Sequence, residues 1–234
     1  MSAPAQSENR RPIGPSVDSK PASPPGKVAL TGRYTILERL NAARHGPALW
    51  DAFKGRDDLW TYSSQGPFAD AAAFNTWLAQ RATLEDPFYF TIQDRNGRAL
   101  GVATLMEIRP DMRVIEVGHI VYGPSLQQTP LATEAQFVLA RYVFETLGYR
   151  RYEWKCDALN AASRRAAERF GFTFEGVFRQ HMIVKGHNRD TAWFSILDNE
   201  WPQAKAAFER WLAPANFDEH GRQRQRLADI RATI

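Results

Sequence analysis

Between Arg113 and Cys156 the chain reads strand, loop, helix, strand, and no other segment constrains the fold as much. Arg113–Val121 is a strand pattern, broken by Gly123-Pro124. Thr129-Pro130 then opens a helical pattern over Leu131–Leu147, with Leu131, Ala135, Val138, Leu139, Tyr142 and Val143 at helical spacing and Gly148 as its stop. Arg151–Cys156 returns as a strand. Such a crossover lays a helix on one face of a sheet. Just upstream, Phe88–Gln93 and Arg98–Ile108 flank Asn96-Gly97, a hairpin signal. A chain with both a crossover and hairpins is expected to form a mixed sheet covered by helices.

The remaining elements fit that plan. Tyr34–Leu40 reads as a strand and Asn41–Phe53 as a helix. A second helix is expected to open at Gly66-Pro67, with Phe68, Ala71, Phe74, Trp77 and Leu78 at helical spacing. Downstream, Asn160–Phe170 is a short helix stopped by Gly171. Phe172–Val184 and Thr191–Leu197 are strands around a turn at Gly186, and Pro202–Leu212 is a last helix. The expected order is β-α-α-β-β-β-α-β-α-β-β-α.

Residues 1–28 hold Pro4, Pro12, Pro15, Pro21, Pro24 and Pro25 without periodicity, and are expected to be a disordered tail. A single domain over 29–213 and a basic tail over 214–234 complete the expected division. The net charge is +4, but much of it lies in the two tails, so the centre is close to neutral. A neutral centre is a poor footprint for dedicated nucleic-acid binding, and the tails promise only weak attraction to polyanions. No apolar run approaches membrane-spanning length, and the N-terminal stretch lacks the apolar core of a secretory signal. The one cysteine, Cys156, excludes an internal disulfide. A reducing, cytoplasmic setting is therefore expected. The five histidines show no ligand spacing, so no metal is expected.

A helix entered from a polar loop presents free N–H groups to an anion, and Thr129-Pro130 suits the N-cap and first position of such a helix. Around this point a specific resemblance emerges. Gly118-His119-Ile120, Ala132-Thr133-Glu134-Ala135, Asn160-x-x-Ser163 and Gly171-Phe172 stand in order, with Gly176, Asp190 and Glu200-Trp201 at matching spacing. The set resembles the GNAT superfamily of N-acetyltransferases, and within it the branch acting on ribosomal-protein N-termini and many small amines. The resemblance runs from about Tyr34 and is densest over residues 115–201.

The resemblance implies a mixed, strongly twisted central sheet flanked by helices, with Arg113–Val121 and Arg151–Cys156 as parallel neighbours that splay apart. Acetyl-CoA would lie in the splay, its pantetheine arm against the backbone of Ile120 and Val121. Its pyrophosphate would lie on the loop Gln127, Gln128, Thr129, Leu131, Ala132 and Thr133. An amine, from a protein N-terminus or a small molecule, would attack the thioester directly, with the developing oxyanion held by a backbone N–H near Ile120. An edge-strand homodimer is common in such folds. The family's phosphate loop reads Gln/Arg-x-x-Gly-x-Gly/Ala. Here Gln127-Gln128-Thr129-Pro130-Leu131-Ala132 departs at the central glycine, and Pro130 has no N–H to donate.

Glu116 lies on the strand facing the thioester and suits a general base acting through water. The competing reading is a salt-bridged strand glutamate. By period two Glu116 shares a face with Gly118 and Ile120, whereas His119 points the other way. His119 has a pKa suited to base work, but a packed, hydrogen-bonded histidine is the preferred reading. The position four residues after Ser163, where many relatives carry an acidic tyrosine, is Ala167. Ser163 is the candidate to hydrogen-bond the leaving sulfur and Asn160 to hold the pantetheine amide, with plain helix capping as the alternative for both. Trp60 and Tyr62, with His119, are candidate acceptor-site residues, while Phe68 and Trp77 read more readily as core. Arg179, His181, Arg189 and Asp190 flank the last hairpin as candidate readers of an acceptor carboxylate or phosphate, or as solvated charges. Cys156 reads as buried and inert. The missing tyrosine and Pro130 also keep open a non-catalytic acyl-CoA-binding role.

Overall fold

A computed structural model describes residues 11–234. Eight strands form one sheet: β1 Leu30–Thr31, β2 Ile36–Arg39, β3 Phe88–Gln93, β4 Ala99–Arg109, β5 Val114–Tyr122, β6 Arg151–Asp157, β7 Thr173–Val184 and β8 His187–Leu197. Their spatial order is β1-β2-β3-β4-β5-β6-β8-β7. Every neighbouring pair is antiparallel except β5 and β6, which the crossover makes parallel. The helices are α1 Ala42–Phe53, α2 Ala71–Ala82, α3 Pro130–Arg141, α4 Ala161–Phe170, α5 Trp201–Leu212 and α6 Leu227–Arg231.

The two sheet faces carry separate cores. On one, Ile115, Val117, Tyr152, Trp154 and Phe194 pack with α3, α4, α5 and α6 through Val138, Leu139, Ala167, Phe208 and Ile230. On the other, Tyr89, Val102 and Val121 pack with α1 and α2 through Leu49, Phe53, Phe74, Trp77 and Leu78. Beyond β4, this second face carries Glu116, Glu153 and Lys155, leaving a polar strip where the first face is apolar.

The parallel pair is joined over only part of its length. Val114 to Val117 match Arg151 to Trp154, and there the register ends. β5 continues on β4 to Tyr122, and β6 continues on β8 to Asp157. The two strands therefore diverge, as the resemblance implies. β5 also carries a bulge: Thr104 faces Gly118 and Val102 faces Val121, so one β4 residue spans two on β5.

Several boundaries differ from the sequence reading. The second helix starts at Ala71, because the Asp70 carboxylate caps it by accepting from Ala73 N. The third helix loosens into a π-type turn over Tyr142–Leu147 before Gly148 closes it in the left-handed region. β8 begins at His187, four residues earlier than expected, because Lys185 and Gly186 both adopt positive φ and make a two-residue hairpin turn. The expected disordered tail falls partly outside the described residues. Within them, residues 11–20 are exposed, but Ala22 and Pro25 are buried. Ala22 N donates to Pro110 O and Ser23 N to Leu147 O, so this stretch is fastened to the domain. The expected basic tail is likewise no tail. Leu227 and Ile230 enter the main core, and the Arg231 guanidinium donates to the carbonyls of Glu168 and Arg169 at the end of α4. An apolar pair spaced i, i+3 among arginines was the overlooked signal.

Candidate active site

The divergence of β5 and β6 opens a cleft at the centre of the sheet, and Glu116 stands at its apex. Its carboxylate is buried and lies 2.9 Å from Lys155 Nζ. Lys155 also lies 3.2 Å from Glu153, which faces Glu116 across the strand pair. The ammonium sits 3.9 Å above the Trp193 ring. The two carboxylates titrate differently. Burial pushes Glu116 up to about 7, against the pull of Lys155 and with the help of Glu153 and Glu107. Burial opposes the charge of Glu153 too, yet Arg151, Lys155 and Arg109 together hold it below the ordinary carboxylate range. The sequence hint was the alternation in β6, where Glu153 and Lys155 interleave with Tyr152, Trp154 and Cys156.

Gly118 sits in a tight spot here. A Cβ on it would strike Met106 Sδ and come to within van der Waals contact of Glu116 Oε1 at 3.4 Å, so the bare backbone makes room for the Met106 thioether beside the carboxylate. The bulge after Gly118 overturns the period-two assignment of faces. Ile120 packs with the first core, away from Glu116. His119, at φ 44°, turns to the second face, and its Nδ1 lies 3.0 Å from the Tyr89 hydroxyl. His119 thus shares the cleft with Glu116. It is exposed to the opening but hemmed in by protein elsewhere. That enclosure holds it below the ordinary histidine range, helped by the charges of Arg81 and Arg189.

At the start of α3 the Thr129 side chain accepts from Ala132 N at 3.1 Å, and Thr133 N bonds the Thr129 carbonyl. Ala132 and Thr133 therefore keep their amides inside the helix. Pro130 has none, whereas Gln128, Thr129 and Leu131 donate theirs to no described residue. Gln128 is bent to φ 60°. Gln127 is turned inward onto the Tyr122 carbonyl. Arg169, which the sequence reading did not single out, reaches Thr133 Oγ1 at 3.1 Å and sets a cation beside the helix start. On the opposite bank Asn160 caps α4 by accepting from Ser163 N, and the Trp154 indole donates to Ser163 Oγ at 3.0 Å. With its oxygen so engaged, the Ser163 hydroxyl has its hydrogen left to donate, and the Cys156 sulfur lies within its reach.

Of the expected acceptor-site aromatics, Trp60 is instead core. It is buried, with its ring edge-on to Phe53, Phe68 and Trp77. Its carbonyl accepts from Lys185 Nζ, in the turn between β7 and β8, at 2.9 Å. Tyr62 is exposed, and its hydroxyl donates to Leu159 O at 3.2 Å. These two bonds carry the α1–α2 connection across to the far bank. Of the last-hairpin set, His181 bonds Thr191 Oγ1, and Asp190 accepts from Gln180 N and Asn188.

This geometry meets its counterpart in known proteins. The family described as "Acetyltransferase (GNAT) domain" matches residues 35–173. The chain belongs to the GNAT acetyltransferase family. As a GNAT acetyltransferase it resembles a GCN5-related N-acetyltransferase from Brucella melitensis at 48% identity and TM-score 0.90, over 92% of this chain and 99% of that one. A GNAT-family protein from Chromobacterium violaceum, described as a probable acetyltransferase, shares 43% identity at TM-score 0.77, over 82% and 100%. The Bacillus subtilis protein named "Putative ribosomal N-acetyltransferase YdaF" is 29% identical over 150 residues, 62% of this chain and 80% of that protein. The resemblance to this family, and to its ribosomal-protein branch, is thereby borne out.

Proposed function

We propose that this GNAT acetyltransferase uses acetyl-CoA and acetylates a primary amine directly, with Glu116 as the base. The observation that carries the reading is the parting of β5 from β6 immediately beyond Glu116 and its partner Glu153. The residues suit acetyl-CoA. Unpaired amides at Gln128, Thr129 and Leu131, the α3 dipole and Arg169 favour a pyrophosphate. The backbone of Ile120 and Val121 lines the gap beside a pantetheine arm, and Asn160 Nδ2 stays available as a donor. Acetyl-CoA supplies the activated acetyl thioester. Glu116, titrating near neutrality, takes the ammonium proton, and Lys155 steadies the charged carboxylate. The Ser163 hydroxyl donates toward the leaving sulfur. The acceptor enters from the α1–α2 side, past His119 and Tyr62.

A protein N-terminus is one acceptor in keeping with the B. subtilis relative, and a small-molecule amine is the other. No helix among the described residues is long and apolar enough to cross a membrane, and we place the reaction in the cytoplasm. β7 is the outermost strand and exposes Phe174, Val177, Phe178, Met182 and Ile183, an edge suited to a homodimer. The test is calorimetric titration with acetyl-CoA, followed by an amine panel with free thiol as the readout. Binding with amine-dependent thiol release supports the reading. Binding without release across protein N-terminal peptides and small amines would instead favour an acyl-CoA-binding role.

A further inference from the structure

We propose that the acceptor is an amine bearing its own carboxylate, which is held between Arg81 of α2 and Arg189 of β8; this rests on the acetyl transfer proposed above. The register places Arg189. Thr191 and Trp193 of β8 face Asp157 and Lys155 of β6, and period two puts Arg189 on the same side as Lys155. β6 ends at Asp157, so Arg189 lies one step beyond it, at the open end of the cleft. Its charge bears on His119 of β5 and on Cys156 of β6, the two strands that part here.

Arg81 approaches from the opposite wall. It lies in the last turn of α2, whose Trp77 packs edge-on against Tyr89, the hydrogen-bond partner of His119. Its charge also bears on His119. Its one described hydrogen bond is a long 3.4 Å contact to Gln65 Oε1, an oxygen already taken by the Trp77 indole at 3.1 Å.

These two guanidiniums differ from the other arginines of this face. Arg109 and Arg151 are each bound to Glu153, and Arg151 also to Glu175. Neither Arg81 nor Arg189 meets a carboxylate among the described residues. Arg189 Nε is fully buried without a partner, and so is Trp193 Nε1 four residues further along the same strand face. Buried donors left unmade cost stability, and a guanidinium fork matches a carboxylate in shape and charge. The acid at the cleft apex, Glu116, is already engaged by Lys155.

The arrangement also selects against alternatives. An ammonium entering past two uncompensated arginines is repelled. A carboxylate on the same molecule cancels that repulsion and orients the amine toward Glu116. A polyamine has no such group. The carboxylate has two natural sources, the α-carboxylate of a free amino acid or an acidic side chain beside a peptide N-terminus.

The test compares matched acceptors by thiol release: a free amino acid against its amide, and a peptide with Asp at its second position against the same peptide with Asn. The carboxylate member of at least one pair is expected to show kcat/KM higher by about tenfold or more, chiefly through KM. The pair that shows it names the source. Arg189→Gln and Arg81→Gln are each expected to collapse that ratio, and Arg189→Lys to restore part of it. An unchanged affinity for acetyl-CoA verifies that the variants are folded. Equal rates within both pairs, or a ratio that neither substitution moves, would overturn the proposal while leaving the transfer reading intact. If no acceptor releases thiol, the transfer reading fails separately. Calorimetry of the same pairs on the CoA-loaded protein then decides: carboxylate-dependent binding lost in Arg189→Gln supports the subsite, and its absence overturns it.

Discussion

Glu116 and Glu153 stand opposite each other on neighbouring strands, yet only Glu153 has three cations around it. Under the proposed function the contrast separates a proton acceptor from a fixed charge. A base with a value of about 7 must be ionised to work, so the acetylation rate is expected to climb as pH rises through about 7. Glu116→Gln is expected to lower kcat by about 10²–10³ and to flatten that limb, as read from rates between pH 5.5 and 9. Lys155→Met removes the pull that favours the charged carboxylate, while Glu107 and Glu153 still oppose it. The limb is then expected to move up by about one pH unit. Stability carries the opposite sign. The folded value lies above the unfolded one, so the stability linked to this group is full below about 4.5 and is lost as pH rises through about 7. Urea unfolding is therefore expected to show Glu116→Gln gaining on the parent chain between pH 5 and pH 8.

Among the elements, the start of α3 has two demands on it. Thr129 secures the helix by taking Ala132 N, and this removes one donor from the proposed pyrophosphate site. Thr129→Ala is expected to cost about 1 kcal/mol of stability in urea titration. Much of this element plan was legible in sequence, because Asn96-Gly97, Thr129-Pro130 and Gly171 are local signals with local causes. The β5 bulge was not. His119 adopts positive φ without being glycine, and the displaced register shows only once β4 lies beside it. The same holds for Lys155, Trp193 and Arg81, whereas Arg189 stood among the last-hairpin candidates without a place. These residues come from three elements, α2, β6 and β8, and only the sheet order brings those elements together. Trp60 failed for a related reason, since an aromatic near a site looks the same in sequence whether it lines the opening or supports it.

For the whole molecule, the segment beyond α5 is part of the structure that holds the site. Leu227 is buried against the main core, and Arg231 caps α4, the helix that begins with Asn160 and Ser163. Leu227→Ala is expected to cost about 2–4 kcal/mol in urea unfolding, the range for a buried leucine that leaves a cavity.

The divergence of β5 and β6 leaves two strand edges inside the sheet facing each other without a shared register. Such edges belong at the rim of a sheet, where solvent satisfies them. In deuterated water the amides of Gly118 to Tyr122 that point into the gap are therefore expected to exchange far faster than their neighbours in β3 and β4. A ligand that fills the gap acts as the absent strand. Acetyl-CoA is expected to slow that exchange and, by mass action, to raise the melting temperature with its concentration. On the proposed function, the sheet is complete only when its ligand is counted as one of its members.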